Sequence, residues 1–366
     1  MIGEVAYADG RAAAVGTPVE IIRRLPHRPF ELPRLFGRAE FPPADTDLPT
    51  ANAYPDLRVD ELDDVVLLPR HVILDGTCRQ VLSQSFKKTP RQRHFGLNLV
   101  GDRIYQPRGR FHQRDERRID GSVFYLDCEF PDIYGHHLLE VWLQTWALDL
   151  LDRDDLRFAT SIQLRPYVLE VLARLGVPEH RIIPITGPLR CARLFVASPA
   201  VLARRYVHPV AGRVIDRIAG LRADSRPDLP GPRVYVSRSR ITERPLVNEP
   251  ELEKIATEAG FDVFHAQEHS IADQLAVFHR ATHVVGPGGS GMHNAVFARP
   301  GANVLILGST GWFTVIDILL AQGRYHLGYV FGDPVDPAEH GRRTKAPWSL
   351  DPEHFRQALG DPWFKQ

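Results

Sequence analysis

The chain has 366 residues, which is enough for two domains with separate hydrophobic cores. Lys plus Arg and Asp plus Glu each number 45, so the formal net charge is zero, and hydrophobic residues make up 43% of the chain. This composition is typical of a globular protein and argues against a broad basic surface for nucleic acid or anionic lipid, although it allows a local basic pocket.

The three cysteines, Cys78, Cys128 and Cys191, form no CxxC pair, so the sequence predicts neither a disulfide framework nor a zinc ribbon. Residues 1–10 lack the basic start and apolar run of a secretory signal. No stretch approaches the about 18 consecutive apolar residues that a membrane span needs. These features favour a cytoplasmic protein, with peripheral association at the inner face of the cell membrane left open.

Residues 1–60 are rich in Pro and Arg and form a predicted irregular segment, in which Pro43 and Pro49 mark a loop. Residues 61–221 form the first predicted α/β domain. Its predicted strands are 65–68, 71–74, 122–126, 158–162 and 181–185, and its predicted helices are 136–151, 166–175 and 199–221. Residues 222–232 contain three prolines and are the predicted linker.

From residue 233 to 366, strands and helices alternate with short connections. The predicted strands are 233–237, 261–264, 282–286, 304–307 and 325–330, and the predicted helices are 248–259, 270–280, 292–298 and 312–321. Asn248 and Ser270 are predicted N-caps, with Glu251 and Asp273 in the capping-box position. This alternation predicts a parallel, doubly wound sheet with helices on both faces, and the last helix could pack back on the first domain.

The strongest local signal is the glycine-rich turn at residues 286–294, with the sequence GPGGSGMHN. Glycines let the backbone approach a ligand closely, and the helix that follows offers free N–H groups that suit phosphate. The glycine spacing is neither GxGxxG nor a P-loop. Contact with a ligand is the favoured interpretation, and a purely structural turn is the alternative.

Two further segments carry candidate residues. Arg238 and Arg240 follow the first strand of the second half, where two guanidinium groups could clamp a diphosphate; a solvated loop is the alternative. His136 and Glu140 lie four residues apart on one face of a predicted helix, so His136 could act as a general base. A core or capping histidine is the alternative there.

A metal site is not predicted. His265 and His269, like His279 and His283, are four residues apart with His293 nearby, but predicted breaks between helix and strand keep each pair off a shared helix face. No carboxylate-rich cluster accompanies these histidines. The acidic run DRDD at residues 152–155 fits an exposed helix end.

The segments described above, in this order, resemble glycosyltransferase family 61. The resemblance spans about residues 121–307 and is densest from 233 to 307. No single motif is specific, but the ordered set is. The matching motifs are Tyr134-x-His136, Ser237-Arg238, Asn248-Glu249, Gln274, Gly286-x-x-Gly289-x-Gly291-x-x-Asn294 and Phe297-x-x-Pro300.

The resemblance implies a GT-B architecture, in which two Rossmann-like, doubly wound domains face each other across a cleft. It implies an inverting, metal-independent transfer from a nucleoside-diphosphate sugar, UDP-linked by our interpretation, to a saccharide or glycolipid acceptor in surface or capsular polysaccharide assembly. No cofactor and no nucleic acid are expected, and the oligomeric state is not predicted. The implied catalytic residues are His136 and Glu140, and the implied donor-binding residues are Arg238, Arg240, Gly288, Gly289, Ser290, Gly291, His293 and Asn294.

Two positions differ from the family pattern. Gly288 stands where the family usually has His, and Ile306 stands where it often has an acidic residue, so both changes remove polar contacts to the donor. His293 could replace the missing imidazole. The alternative function is therefore a non-catalytic relative that binds a sugar nucleotide or a glycan. A nicotinamide-dependent oxidoreductase is disfavoured, because the strand after the glycine turn ends without an acidic residue.

Overall fold

The computed structural model describes residues 1–7, 17–22, 28–38, 40–42, 51–52, 54–86, 94–151, 154–203, 205–222 and 228–365. The chain divides into two compact units that alternate along the sequence. The first comprises residues 1–26, 54–202 and 208–214, and the second comprises 27–53, 203–207 and 215–366. Pro43, Pro49, residues 152–153 of the acidic run and residues 223–227 of the predicted linker lie outside the described residues.

A mixed sheet with eleven described strands forms the centre of the first unit. Its labelled strands are β1 (Leu57–Leu68), β2 (Arg117–Tyr125), β3 (Arg157–Thr160), β4 (Ile182–Pro184) and β5 (Leu189–Ala197). The order β4-β3-β2-β5 is parallel, and β1 pairs antiparallel with β5. The other strands are Val5–Tyr7, Thr17–Ile22, Val72–Asp75, Gln80–Val81, Leu97–Gly101 and Ile104–Pro107.

The sheet of the first unit therefore differs from the doubly wound sheet that the resemblance implies. Its four-strand part is parallel, and the remaining pairs are antiparallel apart from the parallel pair of Val5–Tyr7 with Gln80–Val81. Local hydrophobic patterning predicts that a segment is a strand, but the partner and direction of that strand depend on distant segments. The GT-B arrangement of the two domains stays a prediction.

A helical segment of changing geometry follows β2. Helix α1 (Tyr134–His136) continues through a π-helical turn, His137–Val141, and a 3-10 stretch, Trp142–Leu150. Most of the apolar side chains of this segment are buried. Because the segment is helical throughout, the predicted helix at 136–151 is confirmed. Helix α2 (Pro166–Arg174) has its proline in the first turn, where the missing N–H costs nothing. Short 3-10 turns lie at Ser83–Ser85, Gln113–Asp115 and Glu179–Arg181.

The predicted helix at 199–221 is wrong in its first half. Val201–Leu202 and Tyr206–Val207 are short strands, and helix α3 spans only Val210–Ala219. Pro209 explains the late start, because a proline disfavours helical geometry in the residue before it and is tolerated where a helix begins.

A parallel sheet forms the centre of the second unit. Its strands are β6 (Arg233–Val236), β7 (Asp262–Phe264), β8 (His283–Pro287), β9 (Asn303–Ser309) and β10 (His326–Pro334), in the spatial order β7-β6-β8-β9-β10. All four pairs are parallel, as predicted. Arg34–Phe36 adds in parallel and Trp348–Ser349 antiparallel to β10. Arg28–Pro29 and Ala51–Asn52 form a separate pair.

The helices of the second unit form two groups. Helices α4 (Glu249–Glu258) and α7 (Pro352–Gly360) pack together, and α5 (Ile271–Arg280) and α6 (Ile316–Ala321) both pack on the 3-10 helix Met292–Phe297. Helix α8 (Pro362–Lys365) and α7 contribute to the core of their own unit. Shorter 3-10 turns lie at Ala266–Glu268 and Pro337–Glu339. The predicted helix at 312–321 begins only at Ile316.

One predicted cap is confirmed and one is wrong. The Ser270 hydroxyl accepts the backbone N–H of Asp273 at 3.1 Å and so caps α5. The Asn248 side chain does not cap α4; its amide donates to the Leu350 carbonyl at 2.8 Å and accepts the Leu350 N–H at 3.2 Å. A distant segment thus competes successfully for the capping side chain.

The strand order places a switch point between β6 and β8. After β6 the chain runs through α4 to β7 on one side, and it then crosses to β8 on the other side. The loops that leave the carboxyl ends of β6 and β8 therefore diverge, and ligands of open parallel sheets bind in the crevice so formed. Among the described residues, no helix combines the length and the apolar character needed to cross a bilayer.

Candidate active site

Arg238 and the glycine turn meet at this switch point. Arg238 follows β6 and Gly289 follows β8, and the guanidinium of Arg238 occupies the space that a Cβ on Gly289 would need. Residues 288–291 are half-exposed, so the turn is accessible from solvent. The structure therefore brings together two elements that the sequence assigned to one donor site.

Glycine is required at some positions of the turn and not at others. A Cβ on Gly286 would lie 2.5 Å from the carbonyl oxygen of Val236, so only glycine lets β8 approach β6 this closely. A Cβ on Gly291 would have its nearest neighbour, a methyl carbon of Val236, at 3.7 Å, which is ordinary van der Waals contact. The close approaches at Gly286 and Gly289 define the shape of the site.

Arg238 is held by its own loop and by α4. Its backbone N–H donates to Oε1 of Glu249 at 2.7 Å, and its Nη2 donates to the carbonyl oxygen of Glu243 at 2.8 Å. Burial lowers the pKa of the Arg238 guanidinium, and the nearby carboxylates oppose that shift. Within the part of the chain that the structure describes, Arg238 forms no ion pair, so its positive charge is positioned without being neutralised by direct contact.

Arg244 is a second cation beside Gly289, and sequence reasoning missed it. Its Nη2 would lie 3.6 Å from a Cβ on Gly289, and its guanidinium carbon lies 5.3 Å from the centre of the Trp312 ring. Burial, followed by the positive charge of Arg238, lowers the pKa of Arg244 to about 10. Two half-buried guanidinium groups that repel each other form a site that an anion would stabilise.

Two further cationic side chains lie over the ring of Trp312. The guanidinium of Arg343 and the ammonium of Lys345 lie 4.4 and 5.4 Å from the centre of its ring. Lys345 also forms a 2.9 Å ion pair with Glu243, the residue whose carbonyl holds Arg238. The only signal in the sequence for Arg244 is that it is a further arginine of the same loop, four residues after Arg240.

Arg240 lies outside this cluster of contacts. Its side chain is exposed and forms an ion pair with Glu268. It therefore has an acidic partner of its own, whereas Arg238 and Arg244 both flank the glycine turn.

Glu249 of α4 holds the loop of Arg238 through a hydrogen bond to its backbone. Its side chain is buried, and it accepts the backbone N–H of Arg238. Burial raises the pKa of Glu249 to about 7. Ser237, the preceding residue of the Ser-Arg pair, donates to Oε1 of Glu253 one turn further along α4 at 2.5 Å. The Ser-Arg and Asn-Glu segments of the resemblance thus contact each other through α4.

The predicted residues at the end of the turn form pairs with neighbouring helices. The buried Asn294 amide donates to Oε1 of Gln274 on α5 at 3.1 Å. His293 Nδ1 lies 2.8 Å from Oδ1 of Asp317 on α6, and both side chains are largely buried. Asn294 and Gln274, which the resemblance singled out separately, are therefore one contact that fixes the turn to α5.

The two positions that differ from the family pattern face each other. A Cβ on Gly288 would lie 3.4 Å from Cγ2 of Ile306, and Ile306 is buried on β9. Among the described residues, no group of three His, Cys, Asp or Glu side chains is placed to hold a metal ion.

In the first unit the doubled histidine has two different environments. His136 is half-buried, and its Nδ1 lies 3.1 Å from Oε1 of Glu140. His137 is buried; its Nε2 lies 2.7 Å from the Pro131 carbonyl oxygen, and burial lowers the pKa of this imidazole. His137 has a structural position, while His136 is oriented by a carboxylate.

The His136–Glu140 pair has the geometry of a base dyad. When Nδ1–H donates to Glu140, the neutral ring carries its free lone pair on Nε2. The carboxylate thus holds the ring in an orientation in which Nε2 can accept a proton. The role of general base that the sequence predicted for His136 stays a prediction.

An open parallel sheet with two guanidinium groups and a glycine turn at its switch point is typical of an α/β enzyme that acts on an anionic substrate. The family model described as Glycosyltransferase 61 matches residues 134–305, a range that includes His136, Arg238 and Asn294. Residues 134–305, just under half of the chain, are therefore assigned to glycosyltransferase family 61, and this match confirms the predicted family resemblance and the predicted enzyme class, a glycosyltransferase. The enzyme has a donor and an acceptor substrate. Comparison with the curated proteins gives no match.

Proposed function

We propose that this enzyme transfers a sugar, with inversion, from a UDP-linked donor to a hydroxyl of a saccharide or glycolipid acceptor. The observation that carries the proposal is the pair of guanidinium groups, Arg238 and Arg244, on either side of Gly289. The leaving group of such a reaction is a nucleoside diphosphate, whose charge grows as the glycosidic bond breaks. Fixed cations at that position stabilise the transition state more than the ground state.

The proposed donor site uses both side chains and backbone. Arg238 and Arg244 bind the diphosphate, and the N–H groups of Gly289, Ser290 and Gly291 donate to its oxygens. His293 and Asn294 act by holding the turn through Asp317 and Gln274. Arg240 contributes less, because Glu268 already neutralises it.

We propose that transfer needs no divalent ion and no cofactor. In this proposal, the two arginines supply the positive charge that a metal ion supplies in other sugar transferases. Rates measured after dialysis against EDTA should match those with added Mg²⁺ or Mn²⁺. Activity that depends on either ion would overturn this part of the proposal.

In the proposed reaction His136 is the base. Nε2 takes the proton of the acceptor hydroxyl while that oxygen attacks the anomeric carbon from the face opposite the diphosphate. The new C–O bond forms as the C–O bond to the diphosphate breaks, and its electron pair leaves with UDP. Glu140 stabilises the imidazolium through Nδ1. We further propose a cytoplasmic role in surface or capsular polysaccharide assembly, which rests on the family alone.

A thermal-shift screen against UDP-, GDP-, CMP- and dTDP-sugars, with and without EDTA, tests the donor. A ligand at about 100 times its dissociation constant stabilises a protein by about 2.7 kcal/mol, so a true donor gives a clear shift. UDP release is then measured with and without acceptor. Stabilisation by UDP-sugar without any UDP release would indicate a binding protein, and no shift with any nucleotide would overturn the proposed function.

A further inference from the structure

Three aromatic rings of the first unit form a continuous row that ends at His136. The ring of Phe130 stacks on His136 with centroids 4.3 Å apart and an interplanar angle of 29°, and Phe95 lies 4.1 Å from Phe130. All three side chains are half-buried. We call Phe95, Phe130 and His136 the aromatic platform.

Buried contacts fix the platform in place. Glu129 is buried, and its Oε2 accepts the backbone N–H of Phe95 at 3.0 Å. The Glu129 carbonyl accepts Nη1 of Arg70 at 3.2 Å. A Cβ on Gly96 would lie 2.9 Å from the Arg70 carbonyl oxygen, so only glycine lets the Phe95 segment come this close. The rings are therefore preorganised.

The turn that carries Arg70 is strained and specifically held. Arg70 and His71 both have left-handed backbone angles, with φ of 68° and 65°, which non-glycine residues adopt at a cost. Oδ2 of the buried Asp127 accepts the His71 N–H at 2.9 Å, and the Ser161 hydroxyl accepts the Arg70 N–H at 3.0 Å. Strain held by a buried carboxylate is typical of functional sites, and here it places the Arg70 guanidinium beside the platform.

The charges around the platform favour a neutral ligand over a phosphate. The Glu140 carboxylate lies beside His136, and Asp132 is exposed close to Phe130 in sequence. Asp132 partly compensates the positive charge of Arg70, because its carboxylate lies 3.8 Å from Nη2 of Arg70. Carboxylates repel a diphosphate but accept hydrogen bonds from hydroxyl groups.

We propose that the aromatic platform binds a pyranose ring of the acceptor. Because Phe95 and His136 lie against the two faces of Phe130, the apolar C–H face of the sugar would pack across the open edges of Phe130 and Phe95. Its hydroxyl groups would donate to the carboxylates of Asp132 and Glu140, and one hydroxyl would meet the in-plane lone pair of His136 Nε2. Aromatic surface with a few convergent polar groups is the usual composition of a small-ligand site. This inference rests on the proposed function, since it names the acceptor site of that same reaction.

The test uses methyl pyranosides of glucose, galactose, mannose and xylose as probes, titrated into the full-length protein by saturation-transfer NMR. Phe130→Leu removes the aromatic ring from the middle of the row and keeps an apolar side chain. Phe111→Leu is the matched control, because Phe111 is another half-buried phenylalanine of the first unit that packs on a different cluster. We expect Phe130→Leu to lower the affinity for the tightest-binding glycoside by about three- to tenfold and Phe111→Leu to leave that affinity unchanged.

Equal affinity in Phe130→Leu and wild type would overturn the platform as a sugar site, as would wild-type protein that binds UDP but none of the glycosides. Failure of UDP to bind would instead count against the proposed donor, while the glycoside titration still decides the platform. If Phe130→Leu does not fold, the wild-type titration decides. The His136 ring resonance, assigned with His136→Gln, must then shift on adding glycoside, and an unshifted resonance overturns the inference.

Discussion

Replacing Arg244 by alanine tests the two-arginine donor site at the residue that sequence reasoning missed. Arg238 and Arg244 flank the same glycine, and burial together with the charge of Arg238 lowers the pKa of Arg244 to about 10. The substitution therefore removes one of two cations proposed to share a diphosphate, and it relieves their mutual repulsion at the same time.

A hydrogen bond to a charged group contributes about 1.5–3 kcal/mol, and about 1.4 kcal/mol corresponds to a tenfold change in Kd. Loss of one guanidinium alone would weaken UDP binding by about 10- to 150-fold. Because repulsion of the remaining arginine disappears, we expect the lower part of that range, about 10- to 50-fold.

The same reasoning predicts little loss of stability without ligand. Arg244→Ala removes a cation–π contact with Trp312, worth about 0.5–1 kcal/mol, and relieves a repulsion of similar size. The free energy of unfolding of the ligand-free protein should therefore change by less than about 1 kcal/mol. A residue with a purely structural role would lose stability and ligand affinity together.

Isothermal titration with UDP, UMP and uridine separates the phosphate contribution from that of the base. Uridine carries no phosphate, so Arg244→Ala should bind it as wild type does. Arg356→Ala is the control, because Arg356 is an exposed arginine of α7 in the same unit, paired with Glu353. UDP affinity within twofold of wild type, or equal losses for UDP and uridine, would refute the two-arginine site.

Three further predictions follow from single contacts. The pKa of Glu249, about 7, exceeds its unfolded value of 4.5, so the stability that its protonated form contributes is present below about pH 4.5 and is lost as the pH rises through 7. The free energy of unfolding of the wild type, measured with urea, should therefore fall by about 3 kcal/mol between pH 4.5 and 8, and Glu249→Gln should not show this fall. Parallel profiles would contradict this. Gly289→Ala displaces the guanidinium of Arg238 and should lower the affinity for UDP at least about tenfold. Gly291→Ala has room for a methyl group, so its affinity for UDP should stay near that of the wild type. His136→Gln should lower kcat by about 10²- to 10⁴-fold and Glu140→Gln by less, with donor KM unchanged; equal rates would exclude the base dyad.

The sequence predicted the second unit well because its information is local. Alternating strands and helices with short connections require a parallel sheet, and residues directly after two of its strands must lie at one edge. Arg238 and Gly289 were singled out on that basis, and the strand order places β6 next to β8. Position relative to a strand end was sufficient to predict which elements meet.

Contacts made between distant segments could not be predicted in this way. Arg244 reaches the glycine turn because its backbone is left-handed, with φ of 55°, and because Trp312 from another loop supports its side chain. Asn248 has a good capping sequence, yet Leu350, about a hundred residues later, provides better partners. In the first unit, Phe95 and His136 meet only through Phe130, and no local periodicity relates those positions.

The two departures from the family pattern are best understood as one change. Gly288 and Ile306 face each other, so a histidine at 288 and an acidic residue at 306 would form a polar pair, and this chain has an apolar contact in its place. Losing one member alone would leave the other polar group buried without its partner, which costs about 1–3 kcal/mol.

A double-mutant cycle tests that coupling. Ile306 is 2% exposed, so Ile306→Glu buries a carboxylate without a partner and should destabilise the protein by about 2–4 kcal/mol. Gly288→His combined with Ile306→Glu should recover about 1–2 kcal/mol of that loss, because imidazole and carboxylate can then pair. Additive effects of the two substitutions in urea unfolding would mean that the positions are independent, and the loss of each polar group would then need its own explanation.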